Sequence, residues 1–208
     1  MCADPIDPRA GSLREEDLHP DPFHQFERWF AAAKTAGIEL PESAALATST
    51  TDGRPSVRMV LVKGFGEEGF RFYTGYESRK GSELAQNPRA ALLFYWHVLG
   101  RQVRVEGEVE RLSEADSLAY FESRPRESRI AAWASEQSAV IGSRHELEGR
   151  FREADTRFPD DVPLPGRWGG YRLRANSVEF WQHGLHRLHD RLRYTRSGDG
   201  WTIERLAP

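Results

Sequence analysis

Apolar residues near the beginning of the chain recur at intervals of three and four, which predicts an amphipathic helix. Asp21 and Pro22 precede them as an N-cap and a first helical residue, and Gly37 is suited to the C-terminal end. Residues 1–18 contain prolines and mixed charges without periodicity, so we expect a flexible N-terminal arm there and a single domain over residues 19–208. The four apolar positions of the helix are Phe23, Phe26, Phe30 and Ala33.

From residue 43 onward the pattern changes to that of strands. Three β-type runs are separated by tight turns, the first of which contains Asp52-Gly53, and this arrangement predicts an antiparallel meander. A nearly continuous apolar run over residues 90–99 predicts a strand buried on both faces. Residues 101–112 alternate strictly between polar and apolar positions. The runs of the meander are residues 44–51, 56–65 and 70–75.

The second half of the chain mixes helices and strands. Ser113 with Asp116 predicts a helix that ends before Pro125, and a charged helix is expected at about residues 143–158. Strands resume at residues 168–182. About seven strands with a few intervening helices predict a mainly β (α+β) fold, an antiparallel barrel or sandwich with peripheral helices. A small barrel leaves little interior space, so a ligand is expected outside it, for example between two subunits.

Composition narrows the class of protein. A chain of 208 residues with 38% hydrophobic and 29% charged residues is expected to be globular. A net charge of −3 argues against a general nucleic-acid binder, and the single cysteine, Cys2, excludes an intramolecular disulfide. No apolar run approaches the roughly 18 residues of a membrane span, and the N-terminus lacks a signal-peptide core, so we expect a cytoplasmic protein.

The clearest physical indication of a ligand site follows Ser78, which can cap a short helix ending near Asn87. Arg79 and Lys80 fall in the first turn of this helix, where cations oppose the helix dipole. Two cations beside free backbone N–H groups suit an anion such as phosphate. The chain contains neither the GxGxxG nor the GxxxxGK[ST] motif, so neither a Rossmann site nor a P-loop is predicted.

The segment EFWQHGLHRLHDRLRY, residues 179–194, concentrates histidine and arginine. Read as a strand, it places Arg187, His189 and Arg191 on one face, which suits an anionic ligand. The alternative interpretation is a charged edge strand in water. A metal site formed by His183, His186 and His189 is disfavoured, because a strand separates the last two and no cysteine supports the set.

Other polar residues point to further contacts. Tyr120 and Arg124 share a helix face, and with Ser128 they could form a second anion site, for a substrate phosphate. Arg58 and Lys63 face opposite sides of an apolar strand, which is unusual for cations. The alternative interpretation is that both side chains reach into water at the strand ends. Gln102, another candidate ligand contact, could equally be solvated, like most such residues.

In several blocks the sequence resembles the FMN-binding split-barrel family of pyridoxine/pyridoxamine 5′-phosphate oxidases. The blocks occur in the family's order and together cover nearly everything from Leu18 to Pro208. They are RMVLVKGF, FYTGYESRKGSEL, LLFYWHVLGRQVRVEG, YFESRPRESRIAAWASEQS, PLPGRWGGY, EFWQHGLHRLHDRLRY and the ending WTIERLAP. The resemblance implies an antiparallel split β-barrel and a homodimer with FMN bound at the subunit interface.

The resemblance also implies roles for individual residues. Arg79 and Lys80 would hold the FMN phosphate, and Arg187 and His189 would act as catalytic residues beside Leu188, closing over the substrate ring. The remaining flavin contacts would be Arg58, Met59, Val60, Leu61, Val62, Lys63, Tyr73, Thr74, Gln102, Gln137, Ser138, Trp181 and Arg191. The substrate phosphate would be held by Lys63, Tyr120, Arg124 and Ser128.

The implied reaction oxidises pyridoxine or pyridoxamine 5′-phosphate to pyridoxal 5′-phosphate, with dioxygen as electron acceptor and hydrogen peroxide as product. A phenazine-pathway oxidase of the same fold is the first alternative; Lys63, Tyr120, Arg124 and Ser128 favour the phosphorylated substrate instead. A deazaflavin-dependent reductase is disfavoured by the phosphate-binding cations. A non-catalytic pyridoxal-phosphate binder would bind tightly without producing peroxide.

The N-terminal region departs from the family's pattern. Members carry an arginine and a tyrosine there that cover the substrate, whereas residues 3–18 contain no tyrosine. Arg9 or Arg14 could take the place of the arginine, but the covering role is not carried over to this chain.

Overall fold

A computed structural model of the chain describes residues 11–208. Within these residues eight antiparallel strands form one sheet in the order β3-β2-β1-β4-β5-β6-β7-β8, and β3 also pairs with β6. The first six of these strands therefore close into a barrel that β7 and β8 extend, which confirms the predicted fold class. The strands are β1 Ser43–Ser49, β2 Pro55–Gly66, β3 Gly69–Gly75, β4 Arg89–Trp96, β5 Arg101–Arg111, β6 Trp168–Gln182, β7 Asp190–Ser197 and β8 Gly200–Arg205.

The long strand β6 belongs to both parts of the sheet. Its first half, Trp168–Leu173, pairs with β3 and closes the barrel. Its second half, Ser177–Gln182, pairs with β7 and begins the extension. The other edge of β6 pairs with β5 along most of its length, so one strand joins the barrel to the C-terminal hairpin.

Five α-helices lie among the described residues: α1 Pro22–Thr35, α2 Arg79–Gln86, α3 Glu114–Glu122, α4 Arg126–Ala134 and α5 Arg144–Arg157. The predicted caps are confirmed, because Asp21 accepts a hydrogen bond from the Phe23 N–H and Ser113 from the Asp116 N–H. Gly37 follows α1 with a φ of 74°, the left-handed conformation that suits glycine after a helix. None of these helices combines the length and apolar composition needed to cross a bilayer.

The aromatic residues predicted on α1 form the centre of the main core. Phe26 has no exposed surface, and its ring centroid lies 4.7, 5.0 and 4.9 Å from those of Phe65, Phe70 and Phe94. Edge-to-face rings of this kind pack densely in an apolar interior. A second, smaller cluster is formed mainly by α3, α4 and α5 around Phe121.

Residues 11–18, which the sequence assigned to a flexible arm, are in contact with the rest of the domain. Leu13 is buried, its backbone N–H donates to Asp190 Oδ2 at 3.0 Å, and Glu15 forms an ion pair with Arg205. Arg14 is exposed and pairs with Glu16, whereas Arg9 and residues 1–10 lie outside the described residues. Residues 11–18 therefore pack against the C-terminal hairpin, because an apolar side chain and a carboxylate both find partners there.

Gly107 is required where β5 and β6 shift register, since Glu106 pairs with Ser177 and Gly107 with Ala175. A Cβ at residue 107 would lie 1.9 Å from the Arg174 carbonyl oxygen. Gly107→Ala should lower the free energy of unfolding by about 1–3 kcal/mol, measured by urea denaturation. The control is Gly66→Ala, whose Cβ would meet no atom within 4 Å and which should change stability by less than about 0.5 kcal/mol. Equal effects of the two changes would contradict this account.

Candidate active site

Helix α2 begins as the sequence predicted. Ser78 is the N-cap and accepts from the Gly81 N–H at 3.3 Å, and Arg79 and Lys80 occupy the first turn. Gly81 is needed for the close approach of this turn to the preceding chain, because a Cβ there would lie 2.2 Å from the Tyr76 carbonyl oxygen. The helix therefore places Arg79 and Lys80 beside its free N–H groups, and Lys80 contacts Thr74 of β3.

Lys80 is a buried cation held only by neutral oxygen atoms. Its ammonium group donates to Gln137 Oε1 at 3.0 Å and to Thr74 Oγ1 at 3.1 Å, and within residues 11–208 no carboxylate forms an ion pair with it. Burial, with a smaller contribution from the charge of Arg58, lowers the pKa of Lys80 to about 8. Such a group is stabilised by an anionic ligand, which supplies the missing negative charge.

Arg124 is a second cation without a carboxylate. It follows α3, its guanidinium lies 4.7 Å from the ring centre of Trp168, and its buried Nη1 has no hydrogen-bond partner in the described part of the chain. Burial lowers the pKa of Arg124. Tyr120 stacks on Tyr73 with ring centroids 3.8 Å apart. Arg124 is therefore an arginine in an aromatic setting with a free donor.

These residues line two adjoining cavities of about 590 and 270 Å³ that share Arg124, Gln137 and Trp168 as walls. We call the combined space the first groove. It brings together thirteen of the residues that the resemblance assigned to flavin or substrate: Met59, Val60, Leu61, Lys63, Tyr73, Thr74, Arg79, Lys80, Tyr120, Arg124, Ser128, Gln137 and Ser138. Two others on β2 are directed elsewhere, since Val62 belongs to the core and Arg58 bonds to protein acceptors.

A separate second groove, of about 250 Å³, contains Gln102, Trp181 and Arg191 and shares no wall residue with the first. Arg191 is fixed there by Glu179, which accepts from Arg191 Nε at 2.8 Å and from its Nη2 at 3.2 Å. This bidentate pair raises the pKa of Arg191. Glu179 is 5% exposed and also binds Arg104, so one buried carboxylate orders two arginines.

The segment between β6 and β7 does not have the strand conformation that the sequence predicted. Residues Leu185–Arg187 form a short 3₁₀ turn rather than a strand, with φ angles of 55° at His186 and 64° at Arg187. The predicted alternation of Arg187, His189 and Arg191 on one strand face is therefore wrong. The physical reason is a tight loop, in which the Gly184 N–H donates to His189 Nδ1 at 3.1 Å and a Cβ on Gly184 would lie 1.9 Å from the Leu188 carbonyl oxygen.

His189 lies 4.6 Å from Trp181 between ring centroids, beside the second groove. Burial and the charges of His183 and Arg187 lower its pKa, which favours the neutral ring at pH 7. Because Nδ1 accepts the Gly184 N–H, the neutral ring carries its proton on Nε2 and presents a donor. Leu188 is 72% exposed and Arg187 is exposed. No cluster of three possible metal-ligating side chains occurs within residues 11–208.

Carboxylates that the sequence interpretation did not single out pair with the other predicted cations. Glu42 lies 3.1 Å from Lys63, and Glu83 contacts both Arg58 and Arg79. The Arg79–Glu83 spacing of four residues on a helix was a readable signal. The Glu42 and Glu179 pairs join separate strands or loops, so no local pattern could have indicated them.

Two family models match the chain. Residues 30–158 match the model described as pyridoxamine 5′-phosphate oxidase. Residues 168–208 match the model described as the pyridoxine 5′-phosphate oxidase C-terminal dimerisation region. The two matches include all eight strands and every wall residue of both grooves except Arg167.

Curated relatives and solved structures agree with these models. Proteins named pyridoxine/pyridoxamine 5′-phosphate oxidase from Burkholderia cenocepacia and Burkholderia mallei are 57% and 58% identical over 200 residues, covering 95% of this chain and 94% of theirs. A crystal structure of PhzG from Burkholderia lata in complex with tetrahydrophenazine-1-carboxylic acid has a TM-score of 0.90 at 33% identity, covering 96% of this chain and 100% of that one. A pyridoxamine 5′-phosphate oxidase-related, FMN-binding protein from Nostoc punctiforme has a TM-score of 0.74 at 20% identity, covering 92% and 100%, and shows the fold alone.

The fold and its two grooves define a split-barrel protein of the class that includes FMN-binding members. With these matches, the chain belongs to the pyridoxine/pyridoxamine 5′-phosphate oxidase family, a family of oxidoreductases. The family predicted from the sequence blocks is thereby confirmed.

The buried charge of Lys80 gives a pH-dependent prediction for the flavin-free protein. Its pKa falls from 10.5 to about 8 on folding, so between these values the unfolded chain binds more protons and stability increases with pH. Lys80→Met, which removes the buried charge, should therefore be more stable than the parent at pH 7. That advantage should shrink by about 1–2 kcal/mol between pH 8 and pH 10 in urea unfolding. The exposed control Lys34→Met should show no such change, and a pH-independent effect of Lys80→Met would refute the argument.

Proposed function

We propose that this protein catalyses the FMN-dependent oxidation of pyridoxine 5′-phosphate and pyridoxamine 5′-phosphate to pyridoxal 5′-phosphate, with dioxygen as electron acceptor and hydrogen peroxide as product. The observation that carries the proposal is the presence of two cations without carboxylates, Lys80 and Arg124, in the first groove. Cofactor and substrate each carry one phosphate, so each phosphate has a matching cation. The expected cytoplasmic location also stays a prediction.

The residues around Lys80 fit the phosphate of FMN. Thr74, Ser78 and Gln137 supply hydroxyl and amide groups around its ammonium, and the first turn of α2 adds backbone N–H donors. Arg79 lies beside them with its side chain largely exposed to the cavity. When bound there, FMN would take up two electrons from the substrate and pass them to dioxygen.

The residues around Arg124 would hold the substrate by its phosphate. Arg124 offers the unpartnered Nη1, and Ser128 on α4 and Tyr120 on α3 line the same space. Lys63 is ion-paired with Glu42, so it would share its charge between that carboxylate and the phosphate. Fixing the phosphate fixes the position of the pyridine ring, which is the entropic part of catalysis.

Arg187 and His189 would act on the other end of the substrate. The proton on His189 Nε2 makes the ring a hydrogen-bond donor to the substrate, held in that tautomer by the Gly184 N–H. Burial, then the charge of His183 and then that of Arg187 lower the His189 pKa, which favours the neutral ring, and Arg187 also adds a positive charge at this end. The two side chains would orient the carbon that is oxidised.

A homodimer is part of the proposal. Val57, Met59 and Leu61 of β2 form an exposed apolar strip that continues across β1 to Leu93 and Tyr95 of β4. Contiguous apolar surface of this kind is typical of an interface. The match to a dimerisation region supports the same conclusion, and a second copy would bring its second groove to the first groove of its partner.

A phenazine-pathway oxidation is the second candidate, favoured by the likeness to PhzG. The molecule in that complex is a carboxylic acid. The four residues assigned to the substrate phosphate, Lys63, Tyr120, Arg124 and Ser128, line the first groove here and favour the phosphorylated substrate.

The purified protein reconstituted with FMN should oxidise pyridoxine 5′-phosphate in air with equal formation of aldehyde and peroxide. Arg124→Met should raise the KM for this substrate by about tenfold or more, because a charged hydrogen bond to the phosphate is lost. The exposed control Arg144→Met should leave KM unchanged. Tight binding of pyridoxal phosphate without peroxide would indicate a binding protein, and turnover of tetrahydrophenazine-1-carboxylic acid alone would indicate the second candidate.

The dimer is tested by placing a charge at Val57, a residue of the apolar strip that lines neither groove. Val57 is 67% exposed and lies next to Ala47 of β1, so Val57→Glu would bury a carboxylate between two copies. Its dimer dissociation constant should rise about tenfold or more in sedimentation velocity, and FMN affinity should fall with it. The matched control is Val140→Glu, at a fully exposed residue outside the strip. A Val57→Glu protein that stays dimeric would exclude this interface.

A further inference from the structure

Glu83 is a buried carboxylate beside Arg79 of the first groove, and neither the sequence patterns nor the resemblance assigned it a role. It is 4% exposed and lies on α2, one turn after Arg79. Its Oε2 accepts hydrogen bonds from the hydroxyl groups of Thr48 and Ser56, and its Oε1 accepts from Arg79 Nε at 3.0 Å. The carboxylate therefore connects α2 with β1 and β2.

The Glu83 carboxylate is ionised at neutral pH. Burial acts to raise its pKa, but the hydrogen bonds from Ser56, Thr48 and Arg79 outweigh that effect and hold the pKa at about 2. A carboxylate with these donors has a fixed position, because each oxygen atom has at least one partner of defined direction.

Arg79 is held by Glu83 in a way that leaves its donors available. Of the three guanidinium nitrogens of Arg79, only Nε has a hydrogen-bond partner within residues 11–208, and that partner is Glu83. The side chain is 62% exposed, so without this contact it would sample many rotamers. The two terminal Nη groups stay unbonded beside Ser78, Gln137 and Ser138, which are walls of the same cavity.

Arg58 supports Glu83 from the opposite side. Its Nη2 contacts Glu83 Oε2 at 3.4 Å and also Ser56, and its Nη1 donates to the Leu46 carbonyl oxygen at 3.2 Å and to Thr48. Both terminal nitrogens of Arg58 therefore bind protein acceptors. Arg58 offsets the negative charge of Glu83, while Arg79 faces the cavity.

From this arrangement we propose that Glu83 is a positioning residue for the phosphate of FMN, acting through Arg79. The inference rests on the proposed function, since it assumes that FMN is the anion at α2. Glu83 orients the Arg79 guanidinium along Nε, so that Nη1 and Nη2 can both bind the phosphate.

A carboxylate at residue 83 can affect the affinity for FMN in two opposite directions, which makes the proposal testable. A purely electrostatic effect would repel the phosphate, so removing the charge would tighten FMN binding. A positioning effect predicts the reverse, because a loose Arg79 must be ordered when the phosphate binds. Riboflavin shares the rings and the ribityl chain of FMN but lacks the phosphate, so it reports on the remainder of the site.

The experiment titrates the full-length apo-protein with FMN and, separately, with riboflavin, following flavin fluorescence at constant salt. Glu83→Gln preserves the shape and size of the side chain and removes its charge. We expect its Kd for FMN to rise about tenfold and its Kd for riboflavin to change less than about twofold. The matched control is Glu110→Gln, which removes the exposed partner of Arg172 and Arg174 and should change neither Kd.

A second variant tests the route through Arg79. In an Arg79→Gln background, Glu83→Gln should leave the ratio of the FMN and riboflavin dissociation constants unchanged, as a double-mutant cycle requires for residues acting as a unit. A ratio that still changes in that background would overturn the proposal. So would tighter FMN binding by the single variant, or equal weakening of FMN and riboflavin, which would indicate a general structural role.

The parent protein distinguishes failure of this inference from failure of the proposed function. If the parent binds FMN no more tightly than riboflavin, α2 is not a phosphate site and the proposed function itself fails. If the parent prefers FMN and Glu83→Gln shows the same preference, FMN binding stands and only the role of Glu83 is rejected.

Discussion

Two positive charges without a counter-charge, on Lys80 and Arg124, determine what the first groove can bind. Both cations lie among hydroxyl, amide and aromatic groups, and no carboxylate of residues 11–208 forms an ion pair with either. Burying an uncompensated charge is unfavourable, and the rigid aromatic core of the barrel supplies the stability that tolerates it. An anion that enters the groove would supply the missing counter-charge, so the groove suits anionic ligands.

The placement of the carboxylates separates two kinds of cation. Glu42, Glu83 and Glu179 each contact a lysine or arginine at a groove and thereby orient it. At Lys80 and Arg124 the corresponding acid is missing, and the charge remains available. A list of basic residues does not make this distinction, because it depends on which acids the fold brings to them.

The sequence predicted the features that depend on residues close together in the chain. The caps at Asp21 and Ser78 involve contacts within three residues, and the strand periods follow from burial on one face. Family resemblance added the residues of the site, and the first groove assembles most of them. The sequence did not predict the 3₁₀ turn at residues 185–187. Its cause is the close approach of Gly184 to the Leu188 carbonyl oxygen, and this contact has no signature in the alternation of residue types from which the strand was predicted. The Glu179–Arg191 pair depends on the register of β6 with β7, which no local pattern reveals.

Strand β6 contributes walls to both grooves. Trp168 at its start is a wall of the first groove, and Trp181, thirteen residues further along, is a wall of the second. The two grooves also approach each other across β1, because Met59 of the first groove and Leu93 of the second both pair with Ala45. In the proposed dimer the second groove of one copy meets the first groove of the other, so each copy both gives and receives half a site. Binding of the flavin and association of the subunits then stabilise each other, because each presents the surface that the other requires.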